Sequence, residues 1–189
     1  MKRLLLACTL LVAVSSNAYA QCSSVQTPVR VYLMYGLLSS LMSSGMSDLT
    51  DKLNRIKGVK ASVHEWLSSS SLAEDAAKFN GAVAFGGHSI GANAAVTAAR
   101  QLNGTRRVAL ILGFDPSSLA SLESVPPNVD RAIGFRQDHN PFGGNKLVGT
   151  SSGTSVSNQF HDINHIAIDK HSQIHATSIS AVCAAGNRG

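Results

Sequence analysis

Strand-like segments alternating with stretches of helical spacing place this 189-residue chain in the α/β class, as a three-layer sandwich around a mostly parallel sheet of about six strands. Three observations carry that expectation. Residues 107–114 (RVALILGF) form a continuous apolar run of the kind that lies in the middle of a parallel sheet. Residues 29–35 (VRVYLMY) are β-branched and aromatic, as a buried strand requires. Residues 82–95 (AVAFGGHSIGANAA) read as strand, sharp turn and alanine-rich helix, the local form of a βα unit.

The chain opens with Met1-Lys2-Arg3, an apolar stretch over residues 4–14 and an Ala18-Tyr19-Ala20 ending, the three parts of a secretory signal peptide. Cleavage is expected after Ala20, which leaves residues 21–189 as one domain in a secreted or periplasmic protein. A membrane anchor would need about 20 consecutive apolar residues. No later stretch supplies that run, so no transmembrane segment is expected in the mature chain. A lipoprotein reading fails as well: too few apolar residues precede Cys8, and Cys22 lacks a Leu-x-Ala or Leu-x-Gly lead-in.

With Cys8 removed, Cys22 and Cys183 stand near the two ends of the mature chain in an oxidising compartment, and a disulfide between them is expected. In the chain-entropy description so long a closed loop stabilises the fold by at most about 4–5 kcal/mol. The formal charge of +5 becomes +3 once Lys2 and Arg3 leave, too mild a balance to point to nucleic acid. Lys52, Arg55, Lys57 and Lys60 cluster in sequence, but such a run reads as a solvated helix face and its exit loop.

The mature chain then runs in order. The strand at 29–35 ends at Gly36. Leu49, Leu53 and Ile56 have helical spacing, with Ser47 and Asp48 as caps, and predict a helix over 47–56. A strand is expected over 59–66, where His64 and Trp66 read as packing residues. A polar linker over 68–71 leads to a short helix over 72–79. The strand before Ser89 follows Asn80-Gly81, and the helix after it runs to about Leu102, before Asn103-Gly104. The run at 107–114 stops at Asp115-Pro116. Residues 117–129 are a connection with room for one helical turn, and 132–135 a short strand. A polar, glycine-rich loop covers 137–145, and 149–157 reads as loop or hairpin. A last strand over 156–160 and a closing helix over 169–182 complete the chain, without an internal repeat.

The chemistry concentrates at Gly87-His88-Ser89-Ile90-Gly91. A serine at the tip of a strand-to-helix turn has a strained backbone, and its neighbours two residues away on either side are pressed so close that only very small residues fit. Gly87 and Gly91 fill those places. The turn presents the Ser89 hydroxyl at the C-terminal edge of a sheet, and the Ile90 N–H at a helix N-terminus can face a developing oxyanion. This G-x-S-x-G in its strand–helix setting resembles the nucleophile elbow of the α/β-hydrolase superfamily, which includes many lipases, esterases and thioesterases. The resemblance implies a minimal core of six strands in the order 2-1-3-4-5-6. In that family a His-Gly-x motif after the first of these strands gives the second oxyanion N–H from x. Tyr35-Gly36-Leu37 stands in that place here, which assigns the role to the Leu37 backbone.

A serine hydroxyl needs a base, and the base needs an acceptor that fixes its tautomer. Of seven histidines, His64 precedes the elbow, His88 points away from Ser89 in most such turns, and His139 lies where an acid is more often found. His165 follows the last strand and precedes apolar residues and the final helix, similar to the superfamily's catalytic-histidine loop. It is the expected base, with His161 second, while His171 and His175 fall on the final helix as solvated residues. Two carboxylates compete for the acid. Asp138 is nearer the usual family position, but Gly113-Phe114-Asp115-Pro116 matches the Gly-x-Asp-Pro setting of some lipases of the superfamily, which favours Asp115. Pro116 also biases Asp115 toward an extended backbone.

The expected function is therefore an exported serine hydrolase cleaving small-molecule carboxylic esters or thioesters through an acyl-enzyme, with Ser89, Asp115 and His165 as its triad. It needs no cofactor and works as a monomer. With no evident cap in the sequence, small or accessible esters are expected over long-chain lipids. Two other classes compete: a hydrolase-like binding protein without activity, and a metal site built from His161, His165, His171, His175, Asp162 and Asp169. The absence of H-E-x-x-H and the strand-to-loop setting of the first histidine pair argue against the metal.

Overall fold

A computed structural model describes residues 22–38, 41, 43–139 and 141–188. The expected signal peptide lies outside them. The described chain forms six strands, β1 (Ser24–Met34), β2 (Lys57–His64), β3 (Ala82–His88), β4 (Leu110–Phe114), β5 (Arg131–Arg136) and β6 (Ser155–Phe160), in one sheet of order β2-β1-β3-β4-β5-β6. Every neighbouring pair is parallel, as expected for strands joined by crossovers.

Four helices complete the layers: α1 (Ser44–Leu53), α2 (Ser69–Lys78), α3 (Ile90–Gln101) and α4 (Ser172–Gly186). Side chains alternate across the sheet with period two. Val29, Val31 and Leu33 of β1 join Met46, Leu49 and Leu53 of α1 and Ile174 and Val182 of α4 in one core. Tyr32 and Met34 of β1 join Leu72 and Ala76 of α2 and the alanine face of α3 in the other. The alanines of α3 bring that helix close to the sheet, and this fixes where its N-terminus and Ser89 lie. Among the described residues, no helix is long and apolar enough to cross a membrane.

Cys22 and Cys183 are bonded, with their Cα atoms 6.3 Å apart across 161 residues of sequence, so the bridge ties the chain before β1 to the buried face of α4.

Several boundaries differ from those the sequence predicts. β1 starts at Ser24, because residues before Val29 continue as an irregular extension that meets β2 at Lys57. Residues 68–71 are not a linker. A 3-10 turn, Trp66–Ser68, runs straight into α2, since burial of Leu72, Ala73 and Ala76 recruits the serines ahead of them as its first turn. Residues 117–129 hold no helix, only a single hydrogen-bonded turn closed by Val129 N–H to Pro126 O at 3.2 Å. The Asn93 amide donates to the carbonyls of Ser117, Ala120 and Ser121, and those bonds replace the ladder a helix would make. α1 begins earlier than expected, at Ser44. There a Cβ on Gly45 would lie 2.0 Å from the Asp169 carbonyl oxygen, so only glycine lets the two segments touch.

Candidate active site

Ser89 follows β3 directly and precedes α3, and its backbone has φ +56° and ψ −124°, a strained conformation for a residue with a side chain. It is held there by Ser89 N–H to Phe114 O at 2.9 Å and Ala92 N–H to Ser89 O at 2.9 Å. A Cβ on Gly87 would sit 2.4 Å from the Gly91 carbonyl, and one on Gly91 would sit 2.4 Å from the Met34 carbonyl. Both positions admit only glycine. Ile90 opens α3, so its N–H is one of the donors a helix leaves unpaired at its start. Gly36 packs so closely that a Cβ there would lie 3.0 Å from the Ser89 Cβ, which draws the segment carrying Leu37 beside the serine.

The register pairs His88 of β3 with Phe114 of β4, so Ser89 and Asp115 are the first residues beyond adjacent strands. Asp115 is fully buried, and its carboxylate has four donors around it. Oδ1 accepts from the N–H of Gln137 (3.3 Å) and of Gly144 (2.6 Å), and Oδ2 from Gln137 Nε2 (2.8 Å) and His165 Nδ1 (2.7 Å). Burial on its own pushes this carboxyl up, but the bonds from His165, Gln137 and Gly144 outweigh it and hold the group below the usual carboxylate range. The backbone of Asp115 is left-handed, φ +50°, where the following proline had suggested an extended one. Its N–H bonds the Phe135 carbonyl while the next turn folds back, Ser117 N–H reaching Asn93 Oδ1 at 3.0 Å, and aspartate tolerates that conformation better than most residues. Asp138 is exposed in the loop after β5.

An ionised carboxylate only accepts, so the His165 Nδ1–H donates to Asp115. His165 and Ser89 line one cavity of about 250 Å³ together with Leu37, Leu38, His88, Leu119 and Phe142. The sequence-predicted Ser89, Asp115, His165, Leu37 and Ile90 thus meet at the C-terminal edge of the sheet.

Sequence reasoning missed the residues that hold this arrangement. His88 is buried, with Nε2 2.8 Å from the His165 carbonyl oxygen and Nδ1 2.8 Å from Ser43 Oγ. A carbonyl cannot donate, so Nε2 carries the proton, the Ser43 hydroxyl donates to Nδ1, and Ser43 Oγ accepts the Gly36 N–H at 3.0 Å. Burial, followed by the neighbouring His165, pushes the His88 pKa down to about 4, so the ring is neutral across the physiological range. Gly143 closes over the bonded Asp115 and His165: a Cβ there would lie 2.1 Å from Asp115 Oδ2 and 2.7 Å from His165 Nδ1. The adjacent Gly143-Gly144 in a loop after a strand was the available signal, whereas nothing local marks Ser43.

The other histidines stand apart. His161 packs between Phe135 and His171, with ring centroids 5.9 and 6.0 Å away. His139 pairs with Asp162 at 2.6 Å on the surface. His175 is buried rather than solvated, with Nε2 2.5 Å from the Asp169 carbonyl oxygen and Nδ1 2.9 Å from Lys52 Nζ, because α4 turns that face toward α1. Among the described residues, no three of His, Cys, Asp and Glu come together as a metal site would require.

No protein-family model and no curated protein matches the sequence. Solved structures do match the fold. The chain is similar to ClbQ from the colibactin NRPS/PKS pathway, at 11% identity and TM-score 0.51 over 84% of this chain and 98% of that one. It is similar to a YdeN-like hydrolase from Pectobacterium atrosepticum, at 14% identity and TM-score 0.51 over 83% and 91% of the two chains. It is also similar to a structure from the metagenome-derived lipolytic enzymes LipS and LipT, at 12% identity and TM-score 0.50 over 85% and 97%. With its parallel strands in the order β2-β1-β3-β4-β5-β6 and a strained serine between the third strand and its helix, this chain has the fold of the α/β-hydrolase superfamily.

Proposed function

We propose that the protein is an exported serine hydrolase that cleaves carboxylic esters or thioesters through an acyl-enzyme. The observation that carries this reading is the 2.7 Å bond from His165 Nδ1 to the buried Asp115 carboxylate, with His165 lining a cavity shared with Ser89. Ser89 Oγ attacks the carbonyl carbon while His165 Nε2 takes its proton. The oxyanion is held by the N–H groups of Ile90 and Leu37. As the intermediate collapses, His165 gives its proton to the departing alcohol or thiol. Water then attacks the acyl-enzyme with His165 again as base, which releases the acid and restores Ser89. Export rests on the pattern of residues 1–20 and agrees with the bridge between Cys22 and Cys183.

The test is a panel of nitrophenyl esters and acyl-thioesters run on wild type and Ser89→Ala, with fluorophosphonate labelling of both. Wild type should turn over and label at Ser89, and the variant should do neither. Equal rates in the two proteins, or an unlabelled wild type, would leave the binding-protein reading in its place.

A further inference from the structure

Of the nine large apolar side chains exposed among the described residues, four line the cavity of Ser89: Leu37, Leu38, Leu119 and Phe142. A fifth, Ile166, directly follows His165. The four lining side chains come from the loops after β1, β4 and β5, so three separate segments present apolar groups to one cavity. Leu38 and Leu119 keep 63% and 64% of their surface in water and Phe142 keeps 52%. Leu38 does so from a left-handed backbone of φ +62°, a conformation that a leucine adopts only under strain. Strain and exposure of the same apolar residue, beside a candidate nucleophile, place a functional demand on that side chain rather than a folding one.

The polar residues lining the cavity are His88, Ser89 and His165, and no Lys, Arg, Asp or Glu is among its described lining residues. Of the basic cluster, Lys52 and Arg55 line a different cavity, beside Cys22 and Ser23 at the opposite edge of the sheet. Among the described residues, no cation lines the cavity to pair with a polyanionic acyl carrier. A protein partner or a second copy seated on this rim would block Ser89. The occupant that both covers the rim and reaches the serine is an acyl chain, or the apolar phase that supplies it.

We propose that this rim is a docking surface for water-insoluble, uncharged acyl esters, which seat the protein on their surface and pass one acyl chain into the Ser89 cavity. This departs from the small, accessible esters that the sequence suggested, and it rests on the hydrolase reading above for its chemistry but not for the docking itself.

The experiment separates the two. Full-length mature Ser89→Ala, which cannot consume the probe, is mixed with emulsified trioctanoylglycerol, and adsorption is measured by flotation. Adsorption is expected, with affinity falling roughly 5- to 10-fold for Leu38→Gly or Leu119→Ser added to Ser89→Ala, from the apolar area each withdraws. Val148→Ser, which removes an exposed apolar side chain that does not line the cavity, should leave adsorption unchanged. Glycine suits the backbone of residue 38, so the melting temperature of Leu38→Gly should hold, which separates lost docking from lost folding. No adsorption, or equal adsorption in all variants, overturns the proposal. So does self-association of the parent protein that Leu119→Ser abolishes, or faster turnover of octanoyl-coenzyme A than of emulsified ester by wild type. Adsorption of Ser89→Ala with no fluorophosphonate labelling of wild type would instead defeat the hydrolase reading and leave the docking surface standing. Turnover of soluble esters without adsorption would do the reverse.

Discussion

Replacing Asp115 with asparagine exchanges Oδ2 for an NH₂ group where two donors already point, His165 Nδ1–H at 2.7 Å and Gln137 Nε2–H at 2.8 Å. The Oδ1 side is untouched, so the bonds from Gln137 N–H and Gly144 N–H persist and the loop after β5 stays in place. Gln137 cannot relieve the conflict by flipping its amide without losing the bond that Oε1 accepts from His139 N–H at 2.5 Å. The strain therefore falls on His165, which moves its proton to Nε2 and presents a donor to the serine it should deprotonate. A wrong tautomer of this kind costs about 10⁴-fold in kcat in serine-protease triads, which is about 5 kcal/mol of barrier. Thermal stability should fall by only about 1–3 kcal/mol, the cost of one mismatched buried polar contact. Nitrophenyl butyrate hydrolysis under saturating substrate, alongside Asp138→Asn, reads the effect directly. Near-normal turnover in Asp115→Asn, or collapse in Asp138→Asn, would refute the assignment of Asp115 as the carboxylate that orients the base.

Gly143→Ala should lower kcat at least roughly 100-fold in the same assay, because its methyl would occupy space 2.1 Å from Asp115 Oδ2 and must displace the acid from His165. Ser43→Ala removes the acceptor of the Gly36 N–H and the donor to His88, so kcat should fall about tenfold with little change in KM. Asp169 is fully buried, and burial pushes its carboxyl up to about 7 despite the offsetting influence of Lys170 and nearby N–H groups. The folded protein thus keeps a proton that the unfolded chain releases above about pH 4, and stability falls as pH rises from there to about 7. Asp169→Asn should remove that loss, on the order of 4 kcal/mol at pH 8, so melting curves of variant and wild type should diverge upward from pH 5 to pH 8. Reduction of the bridge between Cys22 and Cys183, which closes 161 residues, should lower stability by at most about 5 kcal/mol, read as a drop in the denaturation midpoint.

The sheet was legible because its strands carry their own signals. RVALILGF and VRVYLMY are apolar on both faces since both faces are covered, and the glycines flanking Ser89 are demanded by a backbone approach that no other residue permits. Structure imposed on polar residues by distant partners was not legible. The serines of α2 read as a linker because the pull comes from Leu72, Ala73 and Ala76 beyond them. His175 read as solvated because its partners, Lys52 and the Asp169 carbonyl, lie 123 and 6 residues away and on different elements. The backbone of Asp115 was misread for a related reason: the proline rule is local, whereas the bonds from Asp115 N–H to Phe135 and from Ser117 N–H to Asn93 are set by neighbouring strands and α3.

The same distinction explains why the candidate chemistry could be read residue by residue while its positioning could not. Ser89, Asp115 and His165 each follow a strand, and their order along the chain is enough to propose them. What holds His165 is a path that crosses the chain four times: Gly36 N–H to Ser43 Oγ, Ser43 to His88 Nδ1, and His88 Nε2 to the His165 carbonyl, with the His165 ring then held by Asp115. Each donor in this path has one acceptor and the directions are fixed by the two ends, a backbone N–H and a backbone carbonyl, neither of which can reverse. His88 sits next to Ser89 in sequence, yet its ring serves the loop 77 residues later. The middle residue of Gly-His-Ser thus ties the turn that presents Ser89, the segment around Gly36 and the loop that carries His165 to one buried, neutral imidazole.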